Sequence, residues 1–190
     1  MNKTFGLVIE PGMKFMDYKI QIPKFKNFKN KQKLSKKNKF VYEAHSTDYQ
    51  PKSSLKKLVN NNFKFLKVGP ELTYNYSRSL FFMENLEKKL FRRNTSLIKK
   101  NIIKSMEKSD KYWSGYYNSK NKKLFLESKL DRMRYYLNTK NVNHSIKILK
   151  KNINNISLEK MLILLSKKQK KEFLNYKKKK LKNFENIKMI

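Results

Sequence analysis

Four side chains, Glu43, His45, Asp48 and Lys67, are the ones whose types and spacing could do chemistry. Three of them fall in the stretch FVYEAHSTDYQ, Phe40 to Gln50, where a hydrophobic, β-prone run ends in a polar knot. Side chains alternate along a strand, so Tyr42, Ala44 and Ser46 face one way while Glu43 and His45 share the other. A carboxylate beside an imidazole can move a proton or ligate a metal, and Asp48 in the following loop could add a third group. The same residues have a plainer use. Asp48 and Ser46 can satisfy backbone groups of the turn, while Glu43 pairs with His45 or Lys67. The residues alone leave both uses open for this knot. Zinc is disfavoured, because the only other histidine, His144, falls in a distant helical segment. Lys67 lies in FKFLKV, Phe63 to Val68, where alternation sends it to the face of Phe63 and Phe65. A lysine held there could form a Schiff base. The favoured reading is a buried ion pair with Glu43 of the adjacent strand.

These groups need strands to carry them. Three β-like runs occur, Phe5 to Glu10, Phe40 to His45 and Phe63 to Val68, each ending in turn chemistry: Pro11-Gly12, Ser46-Thr47-Asp48 and Gly69-Pro70. Ser53 to Asn60 reads as a short amphipathic helix with serine caps. Lys24 to Lys39 is Lys-rich, and reads equally as a poor helix or a disordered connector. After Pro70 the period becomes helical. Helices are predicted over Thr73 to Phe91 with Thr73 as N-cap, Ser96 to Lys108, Leu124 to Leu137, Val142 to Asn152, Ser157 to Leu165 and Lys167 to Phe184, with a solvated tail from Tyr176. Strand, helix, strand, helix is the order of a parallel α/β sheet, whose sites gather at the carboxyl ends of the strands. The expected class is therefore α/β: a partial, TIM-barrel-like β/α segment over residues 1–92, with its connector at 24–39. A mainly helical region over residues 93–190 completes and flanks it. Three strands do not close a barrel of eight, so the expectation is the later part of a barrel without its beginning.

Three further motifs carry weaker signals. Gly69 to Thr73 leads from strand to helix and could offer N–H groups to a phosphate, although Glu71 opposes it. Tyr112, Trp113, Tyr116 and Tyr117 could stack bases, but such aromatics more often anchor a core or an interface. Arg132 and Arg134 are expected to pair with Asp131 or Glu127.

Composition bounds the partners. The 190 residues carry 47 Lys plus Arg against 14 Asp plus Glu, a net charge of +33. On its face that points to nucleic acid or an anionic membrane. Yet only five of the basic residues are Arg, and 22 Asn stand against one Ala. Lys, Asn, Ile, Phe and Tyr are residues of A+T-rich codons, whereas phosphate and base recognition favours the arginine fork. The scatter of the lysines favours codon drift. There is no cysteine, which excludes disulfides and thiolate chemistry. No apolar run approaches the roughly 18 residues of a membrane span. The expectation is a cytoplasmic chain with no membrane partner.

Read together and in order, VIEPGMKF (Val8 to Phe15), FVYEAHSTDYQ, FLKVGPELTYNYSRSLFFMENLE (Phe65 to Glu87), YWSGYY (Tyr112 to Tyr117), DRMRYY (Asp131 to Tyr136) and LLS (Leu164 to Ser166) form a specific set. It resembles the carboxyl-terminal half of the non-catalytic subunit of class II D-tagatose-1,6-bisphosphate aldolase, over about residues 5 to 175. Departures are Glu10 in place of a usual Gln, the Lys-rich connector, Leu137 in place of a Trp, and the absent amino-terminal elements. The resemblance implies a TIM-barrel-like accessory subunit of galactitol or N-acetylgalactosamine catabolism, with no catalytic residue and no cofactor of its own. Its partner is the catalytic aldolase subunit, which carries the zinc and cleaves tagatose 1,6-bisphosphate. A second expected partner is a separate chain with the amino-terminal half of the barrel, this chain being a truncated or split product. Glu43, His45, Asp48 and Lys67 are then pocket-lining candidates. The alternative is a basic nucleic-acid-binding protein, and a third reading is an independent aldolase.

Overall fold

The computed structural model describes residues 5–25, 28–117 and 120–171. In chain order the elements are strands β1 (Gly6–Val8), β2 (Lys14–Phe15) and β3 (Ile20–Gln21), helix α1 (Phe28–Lys37), strand β4 (Val41–Ala44), helix α2 (Lys52–Asn60) and strand β5 (Phe63–Leu66). Helices α3 (Glu71–Leu90), α4 (Ile98–Lys108) and α5 (Lys122–Glu127) follow, then a 3-10 turn (Arg132–Tyr136), α6 (Lys140–Asn154) and α7 (Leu158–Ile163). The first half is thus a three-stranded parallel sheet in the order β1-β4-β5, with an antiparallel β2-β3 hairpin beside it. The mixed α/β class expected from the sequence is the observed one.

The register explains which side chains are covered. Leu7 pairs with Tyr42 and Tyr42 with Phe63, forming one lateral row; Val8 pairs with Glu43 and Glu43 with Phe65, forming the next. The Tyr42 row points at α1 and α2. Its face carries a small core of Met13, Phe28, Tyr42, Ala44, Leu58 and Phe63. The Tyr42 hydroxyl, too, is satisfied there, donating to the Lys31 carbonyl at 2.8 Å. The connector's helical alternative is the one observed: α1 packs Phe28 against Phe63 and buries Ser35, while Asn62 bridges to Ser35 and to the Phe40 carbonyl.

Simple alternation fails at one point. The pairing skips from Tyr42–Phe63 to Glu43–Phe65, leaving Lys64 as the extra residue of a bulge. Phe63 and Phe65 therefore point to opposite faces, Phe63 into the core and Phe65 outward. Lys67 cannot share a face with both.

The second half is closed. Leu80 and Phe81 of α3 join Ile98, Ile102 and Met106 of α4, Trp113, Tyr117, Phe125 and Met133, and Val142, Ile146 and Leu149 of α6 in one buried cluster. Helix α3, which precedes the expected boundary at residue 92, thus packs with the helices that follow it. Its Glu87 is fully buried yet satisfied, accepting from the Ser96 N–H (2.9 Å), the Ser96 hydroxyl (2.5 Å) and Asn152 (2.7 Å). Three local expectations need correction. Helix α2 begins after Pro51 and α3 after Pro70, neither of which can cap with its own side chain, so the serine pair and Thr73 are not N-caps. The helix predicted over Leu124 to Leu137 is two pieces, because Ser128 turns extended (ψ 133°) and Asp131 then takes the left-handed region (φ 48°), where a helix cannot continue. Residues 167–171 are helical; the remainder of that predicted helix and the tail from Tyr176 lie outside the described residues.

Candidate functional site

The carboxyl ends of β4 and β5 meet at one loop, Ser46 to Gln50, which carries Asp48. Ser46 and Tyr49 both adopt left-handed backbone (φ 58° and 60°), which turns the chain sharply out of β4 and into α2. Ser46 is exposed, and the expected bond from its side chain to the turn is not among those observed, whereas the polar groups of the next four residues reach sideways. The Thr47 hydroxyl donates to the Lys67 carbonyl at 2.9 Å. Asp48 is buried, and its Oδ1 accepts from the N–H groups of both Gly69 and Glu71 at 2.9 Å. The Tyr49 N–H donates to Glu71 Oε2 at 2.7 Å, and Gln50 donates to the Gln21 carbonyl at 3.1 Å.

Asp48 is therefore the group that finishes α3. A carboxylate at a helix amino terminus satisfies orphan N–H groups and opposes the positive end of the helix dipole. The phosphate cradle considered for Gly69 to Thr73 is closed by it, since two of its donors already serve Asp48. The two carboxylates at this junction, Asp48 and Glu71, each hold the other's loop.

Glu43 and His45 stand on the opposite, outward face of the sheet, His45 Nε2 lying 2.8 Å from Glu43 Oε1. Of the two partners weighed for Glu43, the structure supplies His45. Lys67 is exposed, and the buried ion pair expected between it and Glu43 does not form. The bulge at Lys64 is the reason, because it shifts Lys67 along the strand to lie beside His45, with its N–H on the Ala44 carbonyl at 2.8 Å. The outward face thus presents Glu43, His45 and Lys67 together, while Asp48 is turned away into the loops.

A polar centre beneath these loops had no signal in the sequence beyond single residues. Asp131 is buried, its Oδ2 accepting from the Thr73 hydroxyl at 2.5 Å, while its Oδ1 has no partner. Burial pushes its carboxyl up to about 6, against the opposing pull of the Thr73 hydrogen bond and of Arg134 and Arg78. Tyr49 is held above the usual phenol range by burial first and then by the nearby charges of Asp131 and Asp48. Its ring packs edge-on against Tyr74, Lys129 covers both rings, and its hydroxyl donates to the Lys129 carbonyl at 2.8 Å. The arginines expected to pair with Asp131 or Glu127 do otherwise. Arg132 donates to the Tyr112 carbonyl and stacks on Tyr116, and Arg134 donates to the carbonyls of Leu130 and Asp131. Trp113 and Tyr117 are core residues, whereas Tyr116 remains exposed beneath Arg132.

The family model described as D-tagatose-1,6-bisphosphate aldolase subunit GatZ/KbaZ-like matches residues 1–188. The chain belongs to this family. Among curated GatZ/KbaZ-like relatives, the D-tagatose-1,6-bisphosphate aldolase subunit GatZ of Salmonella dublin is 30% identical over 167 residues, covering 86% of this chain and 40% of that protein. The subunit of the same name from Escherichia coli O6:K15:H31 is 29% identical, covering 83% of this chain and 39% of its own length. The chain spans about two fifths of the length of these relatives. A crystal structure described as a probable tagatose 6 phosphate kinase from Sinorhizobium meliloti 1021 superposes with a TM-score of 0.76 at 25% identity, over 81% of this chain and 41% of that one.

Proposed function

We propose that this chain serves as an accessory, non-catalytic subunit of a tagatose-1,6-bisphosphate aldolase complex. In this reading it sustains the stability and full activity of a separate catalytic subunit in galactitol or N-acetylgalactosamine catabolism, in the cytoplasm. The observation that carries the reading is Asp48. The most buried carboxylate at the strand ends accepts two backbone N–H bonds and holds two loops together, which is a structural task. Glu43 and His45, which could exchange a proton, are bonded to one another. Among the described residues no three His, Asp or Glu side chains cluster as a metal site would need. In the proposal the zinc and the carbon–carbon cleavage belong to the catalytic partner.

The family assignment favours this reading over nucleic-acid binding, and the arginines agree. Arg78, Arg132 and Arg134 are engaged with backbone carbonyls and tyrosine rings. Co-expression with a catalytic aldolase subunit tests the proposal. The expected results are co-purification and a longer half-life or higher activity of that subunit, with no turnover of tagatose 1,6-bisphosphate by this chain alone. Failure to associate, or turnover by the isolated chain, overturns it. Binding to nucleic acid that disappears with added salt is the ordinary behaviour of a polycation.

A further inference from the structure

The motifs YWSGYY and DRMRYY meet on the helical half, beside a cavity of about 450 Å3. It lies between the end of α4, the turn that carries Tyr112, the 3-10 turn and the start of α6, and its size falls within the roughly 300–1,000 Å3 of small-molecule sites. Its walls are held from within. The Tyr112 and Tyr135 rings stack at 4.9 Å, Tyr136 meets Tyr112 edge-on at 5.7 Å, and the Tyr136 hydroxyl donates to the Ser109 carbonyl at 2.7 Å. Lys111 lies over Tyr112, and Arg132 and Arg134 lie over Tyr135. With their faces engaged in this way, the rings offer a ligand edges and hydroxyls, not a stacking shelf. The cationic groups of the wall are Lys108, in the last turn of α4, and Lys140, in the first turn of α6. Neither belongs to an ion pair among the described residues. Among those residues no carboxylate lines the cavity, although Asp110 lies near enough to act on the Tyr136 hydroxyl. The Ser105 hydroxyl donates to the Asn101 carbonyl at 2.9 Å and that of Thr139 to the Tyr136 carbonyl at 2.8 Å, so both oxygens keep lone pairs for a donor. In three other cavities a polar lining group is already bonded within the protein: Lys99 to Asn85, Lys88 to Glu84 and Asn152 to Glu87.

We propose that this cavity binds a small hydroxylated phosphate monoester, with its phosphate between Lys108 and Lys140 and its hydroxyls on Ser105, Thr139 and Asn141. The charges select the phosphate. Such a group carries about −1.5 to −2 at pH 7, and two ammonium groups in a wall without carboxylates complement it. The hydroxyl oxygens select the rest of the ligand. Acceptors call for donors, which a bare phosphate dianion does not bring, and the Asn141 amide can both donate and accept. A nucleobase is disfavoured, because it needs a free aromatic face on which to stack. None of Glu43, His45, Asp48 or Lys67 lines the cavity, so the inference is independent of the accessory role.

The test is calorimetric titration of the purified 190-residue chain with ribose 5-phosphate. The ionic strength is held at about 0.15 M, where long-range attraction to a polycation is screened. One saturable site is expected. Ribose and inorganic phosphate should each bind about tenfold more weakly, and adenosine 5′-monophosphate no more tightly than ribose 5-phosphate. Lys108→Gln and Lys140→Gln combined should weaken binding about tenfold. Lys147→Gln combined with Lys150→Gln removes the same charge from exposed positions of α6 outside the cavity, and should leave binding unchanged. Amide NMR signals of Ser109 and of Thr139 to Asn141 should shift, while those of Ser46 to Gln50 stay in place. Absence of saturable binding overturns the proposal. So does ribose 5-phosphate binding no tighter than inorganic phosphate, a tenfold gain for the adenosine nucleotide, an equal loss in the two double variants, or shifts at the strand-end loop in place of the cavity. None of these readouts involves the aldolase catalytic subunit, so the accessory reading stands or falls separately.

Discussion

The two halves of this chain solve the burial problem to different degrees. The helical half surrounds its core from several sides, with aromatic and aliphatic residues from α3, α4, α6 and the segments between them, and even its buried Glu87 has three donors. The sheet half buries six residues on one face and leaves the other in water. Hydrophobic stabilisation scales with apolar area removed from solvent. The helical half therefore stands on its own contacts, and the sheet half depends on its loops to hold its edges in place.

The strongest way to break this contrast is to attack the closed core. Trp113→Ala removes a buried ring packed on Phe125 and an indole N–H bond to the Met106 carbonyl. It should cost about 3–5 kcal/mol, measured by chemical denaturation. A cost below 1 kcal/mol would mean that the helical half is as loosely held as the sheet half. Next comes Asp48→Ala, which strands the Gly69 and Glu71 N–H groups. A loss of about 2–3 kcal/mol is expected, with amide exchange accelerating first at Gly69 to Thr73; Asp48→Asn should recover part of it by keeping an acceptor.

The third prediction concerns Asp131. Its folded value of about 6 lies above the unfolded 3.8. The native state therefore holds the proton more tightly, and the corresponding stability is present below about pH 4 and lost as pH rises to about 6. Asp131→Asn removes the titrating group and keeps a residue that tolerates the left-handed backbone. Relative to the parent it should gain about 1–2 kcal/mol between pH 4 and pH 7, read from denaturation midpoints across that range. A flat difference would show that burial does not govern this carboxyl. The smallest effect sharpens the comparison most. Phe65→Ser, on the uncovered face, should change the stability of the chain alone by no more than about 0.5 kcal/mol, whereas a core phenylalanine could not be cut so cheaply.

What was legible in the sequence follows the same division. Strands ending at breakers and helices with a 3.6-residue period are local signals, and the three parallel strands and α3, α4 and α6 appear where those signals placed them. The bulge at Lys64 was not legible, because it depends on how β5 lies against β4, and it reversed the expected environment of Lys67. The two-residue strands of the hairpin are too short for alternation to show. At the candidate site, the plain use of Asp48 as a binder of backbone N–H groups was readable from its residue type. Its actual donors, Gly69 and Glu71, lie one loop further on. Asp131 was invisible as a centre, because nothing in DRMRYY indicates that Thr73 lies against it.

The hairpin's attachment has a consequence for how the chain is made. Asp17 accepts from the Ser128 hydroxyl at 2.6 Å, and its carbonyl accepts from the Lys129 N–H at 2.8 Å. The first of these contacts spans 111 positions of sequence. At a synthesis rate of about 5–20 residues per second, the hairpin waits roughly 5–20 s on the ribosome for its anchor to appear. Such widely separated contacts form late and slowly. The β2-β3 hairpin is thus translated well before the residues that secure it, and it is among the last elements to be fixed in place.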